Sequence, residues 1–256
     1  MSTHPKTKTA LIVGGTSAIA LALAEKLLRS KTERWEVILV GRSISINRLE
    51  SARRHLGILC GDASRCRWIT GTPDYIWGVI DTCQLLVIAS GFLPNTPALS
   101  SDKETLETFE ANTLLPIKWC ETAIADISRH DNPKLLKKIC VIGSVAGDRG
   151  RSSNYIYGAA KAAIATYCEG LAHRLALIGK HAPKVMLIKP GPTRSGMTQH
   201  IKDSLLLQSP EKIAGVIHAA LQNPKSPSVC YAPSWWKLIM DIIKQIPEKI
   251  IWKTKM

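Results

Sequence analysis

Short apolar runs alternate with helical patterns along this chain, and no other feature limits its fold as much. Seven runs have the length and composition of buried strands, at residues 9–13, 37–40, 57–60, 84–89, 139–143, 184–188 and 228–231. Hydrophobic residues recur at helical spacing over residues 17–29, 46–55, 72–80, 101–112, 116–128, 153–178 and 209–222. Strands that alternate with helices in this way predict an α/β fold with a doubly wound, mostly parallel seven-stranded sheet.

Length and composition fit one main domain. The chain has 256 residues, of which 45% are hydrophobic and 21% are charged, an ordinary balance for a globular protein with a substantial core. We expect residues 1–233 to form this domain and residues 234–256 to form a C-terminal amphipathic extension. The seven cysteines are scattered, which predicts reduced core thiols and no metal site. No uncharged apolar stretch is long enough to span a membrane, so we expect a cytoplasmic protein.

The chain is strongly basic, with 34 lysines and arginines against 20 acidic residues and a net charge of +14. This surplus favours phosphorylated substrates or an anionic membrane face, and a merely solvated basic surface is the alternative. The basic residues are spread along the chain, so we expect no nucleic-acid partner.

Three residues, Ser144, Tyr157 and Lys161, are candidates for a catalytic acid/base group. Ser144 directly follows the apolar run at residues 139–143 and stands at the end of a predicted strand. Tyr157 and Lys161 are four residues apart in a predicted helix, so both side chains leave the same helix face. The alternative is a turn serine beside an ordinary exposed helix pair.

The first predicted strand ends in a glycine-rich turn, Gly14-Gly-Thr-Ser-Ala-Ile-Ala20. A nucleotide pyrophosphate binds backbone N–H groups at a helix N-terminus and needs a turn without bulky side chains. Glycine also serves simple chain reversal, so it is the position of this turn after the first strand that favours phosphate binding.

Six motifs occur in an order typical of one family: Gly14-Gly-Thr-Ser-Ala-Ile-Ala20, Ala89-Ser-Gly91, Asn112, Ser144, Tyr157-Gly-Ala-Ala-Lys161 and Pro190-Gly191. Over residues 8–232 the chain resembles the short-chain dehydrogenase/reductase family. The resemblance implies a Rossmann-type fold that binds NADP or NAD. It also implies an enzyme that transfers hydride between the nicotinamide and a carbonyl or secondary alcohol.

The resemblance assigns a role to each of four catalytic candidates. Tyr157 would be the acid/base, because a nearby ammonium and the nicotinamide cation lower a phenol pKa that is ordinarily about 10. Lys161 would supply that positive charge and hydrogen-bond the nicotinamide ribose. Ser144 would donate to the substrate carbonyl oxygen. Asn112 would hold a water in the proton relay, and a helix-capping residue is the alternative.

The same resemblance implies contacts to the cofactor along one edge of the sheet. They are Gly14, Thr16, Ser17, Ala18, Ile19, Arg42, Asp62, Ala89, Gly91, Tyr157, Lys161, Pro190, Gly191 and Thr193. Two motifs depart from the family pattern: in the turn, Ala18 and Ala20 replace two glycines, and in the motif that ends at Gly91, Ile88 and Ala89 replace two asparagines. We expect the added methyl groups to tighten the approach of the phosphate without blocking it.

The end of the second predicted strand, Val40-Gly-Arg-Ser43, favours NADP. An acidic residue there would bind the adenine ribose and repel a phosphate, and none is present. Arg42 offers a planar cation that suits the phosphate, and NAD stays the alternative if Arg42 only stacks on adenine. Asp62, after the third predicted strand, would contact the adenine edge, and an ordinary turn aspartate is the alternative.

Beyond the last predicted strand, residues 234–253 predict an amphipathic helix that Pro247 interrupts. Its apolar residues fall near one face, at Trp235, Ile239, Ile242, Ile243, Ile246 and Ile250. Such a face with lysines around it lies in a membrane interface, or it packs on the domain or on a second subunit. The tail also resembles that of short-chain reductases of prenyl-phosphate-linked sugars, which implies a lipid-linked substrate at the inner face of the membrane.

We therefore expect an NADP(H)-dependent oxidoreductase of a small-molecule or lipid-linked carbonyl compound, acting as a homodimer or homotetramer. Residues 194–209 would form a lid over the substrate. One alternative is a soluble reductase of small ketones or acyl intermediates, whose tail is only a dimer element. The other is a catalytically idle dinucleotide-binding protein.

Overall fold

Seven parallel strands form one sheet through the centre of the protein. The computed structural model describes residues 7–42, 45–94, 101–125, 136–198 and 206–253, without the side chains of Tyr75 and Trp77. The strands are β1 (Lys8–Val13), β2 (Trp35–Gly41), β3 (Cys66–Thr70), β4 (Leu85–Ile88), β5 (Lys138–Ile142), β6 (Lys184–Pro190) and β7 (Val229–Ala232). Their spatial order is β3-β2-β1-β4-β5-β6-β7, which confirms the predicted Rossmann-type sheet.

Helices connect the strands and cover both faces of the sheet. They are α1 (Ala18–Leu28), α2 (Ile46–Cys60), α3 (Pro73–Ile80), α4 (Asp102–Phe109), α5 (Leu115–Ile124), α6 (Tyr155–Ile178), α7 (Pro210–Gln222), α8 (Trp236–Gln245) and α9 (Glu248–Ile251). A π-helical turn, Glu110–Leu114, joins α4 to α5. Short 3₁₀ turns occupy Ala63–Arg65, Val145–Gly147 and Gly196–Thr198.

The core consists of two apolar layers, one on each face of the sheet. One layer packs α1, α2 and α7 on strand residues such as Ile12, and the other packs α3, α5 and α6 on strand residues such as Leu11. Alternate side chains of one strand point to opposite faces, and here both faces are covered. Double burial explains why these strands appear in the sequence as continuous apolar runs.

The strand order reverses between β1 and β4, and this reversal defines where a ligand can bind. β1 pairs with β2 on one side and with β4 on the other. In an open parallel sheet, ligands bind outside the carboxyl ends of the strands at such a point. The Gly14 turn follows β1 and Ala89 follows β4, so two of the sequence motifs meet there.

The third strand differs from the prediction. Residues 57–60 are the last turn of α2, which ends at Gly61 in the left-handed region with φ of +67°. The run is apolar in composition, but its Ile58 and Leu59 side chains are 81% and 37% exposed, and periodicity alone cannot separate such a short run from a strand. The observed β3, Cys66–Thr70, lies further along the chain.

The position of β3 also changes the interpretation of Asp62. Asp62 precedes β3 and therefore lies at the amino-terminal edge of the sheet, away from the Gly14 turn. Its carboxylate caps the 3₁₀ turn by accepting from the backbone N–H of Ser64, 3.1 Å away, and it pairs with Arg65 at 3.3 Å. The predicted adenine contact of Asp62 is thus corrected to a structural turn contact, because the residues that follow β3 are Gly71 and Thr72.

The C-terminal helix α8 packs against the domain with one side only. Trp236 and Met240 are buried against Val145, with Ile239 and Ile243 packed beside them. On its other side Trp235, Leu238 and Ile242 are exposed. The predicted single apolar stripe is therefore wrong, since its members divide between an inner face and an outer face.

Pro247 separates α8 from α9, as predicted. Within the described part of the chain, no helix has both the length and the hydrophobicity needed to cross a bilayer.

A buried ionic group and an arginine hold α8 to the loop between β5 and α6. Asp148 pairs with Lys189 at 2.6 Å and accepts from the hydroxyl of Tyr231 at 2.7 Å. Arg149, the next residue, donates to the carbonyls of Lys244 and Ile246 at 2.9 and 3.0 Å. The end of α8 is thereby tied to the loop that follows β5.

Replacing Lys189 tests this ionic group. The Lys189 and Asp148 side chains are only 8% and 2% exposed, so Lys189→Met leaves a buried carboxylate whose remaining cation, the ammonium of Lys244, is 3.9 Å away. We expect the free energy of unfolding to fall by about 3–5 kcal/mol, measured by urea unfolding at pH 7. The matched control is Lys237→Met, which breaks an ion pair with Asp241 whose side chains are 69% and 43% exposed. The control should cost less than about 1 kcal/mol, and equal losses in the two variants would contradict the assignment.

Candidate active site

The carboxyl edge of the sheet brings the predicted site residues into one continuous group. Gly14 packs on the backbone of Ala89 and Ser90. Gly91 follows directly and lies beside both Asn112 and Lys161. Lys161 in turn lies beside Tyr157. The candidates from the turn, the strand ends and α6 thus form a single region.

The turn after β1 is shaped for the close approach of a ligand. Gly14 has φ of +76°, and a Cβ on it would stand 2.7 Å from the carbonyl carbon of Ala89. The N–H groups of Gly14 and Gly15 donate to the carbonyl of Val40 at 3.0 and 2.9 Å. This turn is therefore fixed against both neighbouring strands, and only glycine fits at position 14.

The N-terminus of α1 fits the phosphates of a dinucleotide. Ser17 occupies the N-cap position and makes no side-chain hydrogen bond to the first turn, while Thr16 precedes it and Ala18 and Ile19 begin the helix. Free N–H groups at a helix N-terminus, with the helix dipole behind them, attract a phosphate. Ala20 is fully buried in the core, so its methyl group is accommodated on the inner side of the helix.

Lys161 is a nearly fully buried cation. Its residue is 3% exposed, and its ammonium donates to the carbonyl of Ile142 at the end of β5, 3.1 Å away. The same ammonium lies 5.8 Å from the centroid of the Tyr157 ring. Burial lowers the pKa of Lys161 to about 8, because the charged form loses its hydration.

Tyr157 and Ser144 are hydrogen-bonded to each other. The hydroxyl oxygen of Ser144 accepts from the N–H of Ala146 at 3.0 Å, which leaves its own proton free to donate. Burial raises the pKa of Tyr157 to about 12, and the hydrogen bond from Ser144 and the charge of Arg151 oppose this rise. A phenol with this pKa keeps its proton at neutral pH and is therefore in the form that can protonate a carbonyl oxygen.

Asn112 is completely buried within the π-helical turn. Its amide nitrogen donates to the carbonyls of Phe92 and Thr108 at 2.7 and 2.8 Å, and its amide oxygen accepts from the N–H of Phe92 at 3.3 Å. The side chain thus anchors the segment after β4 to the turn. A Cβ on Gly91 would stand 3.0 Å from the Asn112 amide oxygen, which explains the glycine there.

The segment after β6 is close to the tail helix. Pro190 ends β6, Gly191 follows it, and Thr193 donates its hydroxyl proton to the carbonyl of Gly191 at 3.0 Å. The indole of Trp236 lies so close to Gly191 that a Cβ there would meet its Nε1 atom at 1.9 Å. Trp236 is thereby placed at the edge of the site, a contact that no sequence pattern predicts.

Two further residues lie at the margins of this region. Arg42 follows the end of β2, and its side chain is exposed. The Cε atom of Met197, in the predicted lid, lies 3.8 Å from the position of a Cβ on Gly91. The part of the lid at residues 199–205 lies outside the described residues.

All seven cysteines are free thiols, and Cys66, Cys83, Cys120, Cys140 and Cys168 are buried. Burial raises the pKa of Cys66 to about 11 and that of Cys83 to about 11, so these thiols stay protonated and unreactive at neutral pH. They serve the core, as the sequence predicts.

Comparisons with known proteins agree with this arrangement. A family model described as short chain dehydrogenase matches residues 8–205. Carbonyl reductase family member 4 from Xenopus laevis is 25% identical over 228 residues, which cover 85% of this chain and 92% of that protein. The 3-oxoacyl-[acyl-carrier-protein] reductase from Bos taurus is 23% identical over 208 residues, which cover 78% of this chain and 81% of that protein. A short-chain dehydrogenase from Sphingobium yanoikuyae in complex with NADPH has a similar fold, with a TM-score of 0.72 and 17% identity over 94% of this chain and 97% of that chain.

The variant Tyr157→Phe tests whether this hydroxyl carries the chemistry. The phenylalanine ring keeps the packing beside Lys161, and the substitution removes only the hydroxyl group through which Tyr157 exchanges a proton. We expect carbonyl-dependent turnover to fall at least about 100-fold, the size of a lost general acid, while the dissociation constant of the cofactor changes less than about threefold. Turnover comes from absorbance at 340 nm and cofactor affinity from fluorescence titration. Turnover equal to that of the unchanged chain would remove Tyr157 from the mechanism.

Proposed function

The chain belongs to the short chain dehydrogenase family, and we propose that it uses NADP(H) to interconvert a carbonyl group and a secondary alcohol. One observation carries this proposal: Ser144, Tyr157 and Lys161 meet at the carboxyl edge of the sheet, next to a turn that fits a dinucleotide phosphate. The cofactor, when bound, supplies or takes up the hydride. The protein residues then handle the proton and the charge on oxygen.

We assign a separate task to each catalytic side chain in the reductive direction. The Ser144 hydroxyl donates to the substrate carbonyl oxygen as negative charge grows on it. The Tyr157 hydroxyl gives its proton to the same oxygen, and the ammonium of Lys161 stabilises the phenolate that remains. The Asn112 amide is already used by Phe92 and Thr108, so any water in a proton relay would be held by its backbone carbonyl.

We propose NADP as the preferred cofactor, with NAD as the alternative. Arg42 directly follows β2, and its side chain is exposed. In this type of fold, the end of the second strand lies beside the adenine ribose of the bound dinucleotide. Its guanidinium makes no hydrogen bond or ion pair with a described residue, so it is available for a phosphate. The NADPH bound to the similar Sphingobium yanoikuyae structure agrees with this choice.

A lipid-linked substrate at an anionic membrane face is the more specific proposal, and the outer face of the tail supports it. Trp235, Leu238 and Ile242 lie three and four residues apart on the exposed side of α8 and are 37%, 66% and 57% exposed. Trp252, in the segment after α9, is 73% exposed. Lysines 237, 244, 249 and 253 surround this apolar set, an arrangement typical of interfacial helices.

A soluble reductase of small ketones or acyl intermediates is the second candidate. The names of two relatives, a carbonyl reductase and a 3-oxoacyl-[acyl-carrier-protein] reductase, favour it. In this case the outer face of α8 would contact a second subunit of a homodimer or homotetramer. NADPH oxidation with a panel of small ketones, acyl thioesters and prenyl-phosphate keto-sugars separates these candidates. Cofactor binding without turnover on any member would favour an idle dinucleotide-binding protein.

The variant Arg42→Gln tests the cofactor preference. Loss of one charged hydrogen bond to the 2′-phosphate should raise the dissociation constant of NADPH about tenfold or more, and that of NADH should change less than about twofold. Fluorescence titration with both reduced cofactors measures this difference. Arg54→Gln, an exposed arginine of α2 that pairs with Glu50, removes the same charge as a control. Equal affinities of the unchanged chain for both cofactors would defeat the NADP preference.

Paired substitutions on the outer face of α8 test membrane binding. Leu238→Glu combined with Ile242→Glu leaves Trp236 and Met240 in place, whereas truncation at residue 233 would uncover the active-site loop. We expect co-sedimentation with phosphatidylcholine vesicles containing one third phosphatidylglycerol to fall at least about tenfold, since two apolar side chains no longer enter the lipid.

The matched control for this experiment is Leu177→Glu combined with Ile178→Glu. These residues are 78% and 42% exposed at the end of α6, and the control adds the same two charges. Its vesicle binding should stay close to that of the unchanged chain. An equal loss in both double variants, or no binding by the unchanged chain, would refute the membrane proposal.

A further inference from the structure

Three buried polar atoms near the candidate active site have no hydrogen-bond partner among the described residues. They are Nε of Arg151, Oδ1 of Asn154 and Nε1 of Trp236. Most buried polar groups in folded proteins are paired, so each exception needs an explanation. Two of the three, Arg151 and Asn154, belong to the loop that connects Ser144 to Tyr157. They therefore stand beside the acid/base group.

Arg151 is a half-buried cation in this loop. Its guanidinium makes no ion pair with any residue that the structure describes, although its charge acts on the hydroxyl of Tyr157. Burial lowers the pKa of Arg151, because the charged form loses its hydration. Arg149, two residues earlier, is in contrast fully engaged with the carbonyls at the end of α8.

The loop holds Arg151 and Asn154 in one turn. The N–H of Asn154 donates to the carbonyl of Arg151 at 3.2 Å, and Gly158, in the first turn of α6, donates to the carbonyl of Asn154 at 2.8 Å. The backbone of both residues is thus fixed relative to α6 and Tyr157. A buried Nε–H group without a partner among the described residues costs stability, and a ligand anion would compensate for that cost.

We propose that Arg151 binds an anionic group, a carboxylate or a phosphate, that the carbonyl substrate carries close to its reacting carbon. The planar fork of a guanidinium matches both groups with two parallel hydrogen bonds. Asn154 presents an acceptor oxygen beside it and takes a hydrogen bond from a hydroxyl of the same substrate. This inference rests on the proposed carbonyl chemistry at Tyr157 and deepens it by giving the substrate a charge.

This anion site is distinct from the one that receives the cofactor phosphates. The phosphates fit the Gly14 turn and the N-terminus of α1. Arg151 belongs to the other side of the site, in the segment that presents Ser144 and Tyr157 to the substrate oxygen. Substitution of Arg151 should therefore change the affinity for the substrate and leave the affinity for the cofactor unchanged.

Substrate pairs that differ only in charge test the assignment. Dihydroxyacetone phosphate is compared with dihydroxyacetone, and acetoacetate with methyl acetoacetate, each with NADPH and the full chain. In the unchanged protein we expect kcat/KM to be at least about tenfold higher for the anionic member of one pair. Arg151→Gln should abolish that ratio by raising the KM of the anionic member, whereas the effect of removing its charge from beside the Tyr157 hydroxyl is common to both members of a pair. Arg151→Lys should restore part of the ratio between the anionic and neutral members. A ratio seen with dihydroxyacetone phosphate indicates a phosphate site, and a ratio seen with acetoacetate indicates a carboxylate site.

Arg174→Gln serves as the matched control, because Arg174 is exposed on α6 and its loss changes the net charge equally. The control should keep the full ratio between anionic and neutral substrates. An equal loss of kcat/KM for both members of a pair in Arg151→Gln would overturn the proposal, as would a tenfold weaker binding of NADPH in that variant.

A direct binding measurement separates failure of this proposal from failure of the proposed function. Inorganic phosphate and acetate are titrated by calorimetry into the NADPH-loaded protein, and one of them should bind to the unchanged chain and not to Arg151→Gln. Absence of binding by both anions overturns the anion site even if neutral ketones are reduced. Binding without reduction of any carbonyl compound supports the anion site and contradicts the reductase. Thermal unfolding of Arg151→Gln should occur at the same or a higher temperature, because an uncompensated charge has been removed.

Discussion

A lysine ammonium withdrawn from water is the constraint on which the rest of this site depends. A buried charge costs several kcal/mol unless its neighbours compensate for the lost hydration. Lys161, which is 3% exposed, is compensated by the carbonyl of Ile142 and the ring of Tyr157, and Gly91 lies beside its ammonium. These supports come from β5, α6 and the end of β4. The acid/base group therefore exists only when those elements are assembled.

The sequence predicts the elements that carry the chemistry because their signals are local. Buried strands beside glycines, and a tyrosine and a lysine four residues apart on a helix, can be identified without tertiary contacts. The third strand fails for the same reason, since the apolar run at residues 57–60 has the local composition of a strand but forms the last turn of α2, where Ile58 is 81% exposed. This error moved Asp62 to the wrong edge of the sheet. One misplaced strand thus produced one wrong cofactor contact, whereas the candidates that were identified from motifs lie in one region at the carboxyl edge of the sheet.

Contacts between distant residues could not be predicted in this way. Asp148 meets Lys189 and Tyr231, which are 41 and 83 residues away in the sequence, and no spacing rule joins them. Arg149 and Arg151 show the limit most clearly, because the same residue type occurs twice in one loop. The folded tail distinguishes them, since it supplies carbonyls to Arg149, whereas Nε of Arg151 has no hydrogen-bond partner in the part of the chain that the structure describes.

Helix α8 joins the active-site loop to the outer surface of the protein. Its inner side holds Trp236 against Gly191 and Met240 near Val145, the residue after Ser144. Its outer side exposes Leu238 to whatever surface the protein meets. Because a helix moves as a rigid body, a partner that shifts the outer side must also shift the inner contacts. If that partner is a membrane, the loop that carries Ser144 is held in a geometry that depends on lipid binding, and a lipid-linked substrate would arrive where this geometry is set.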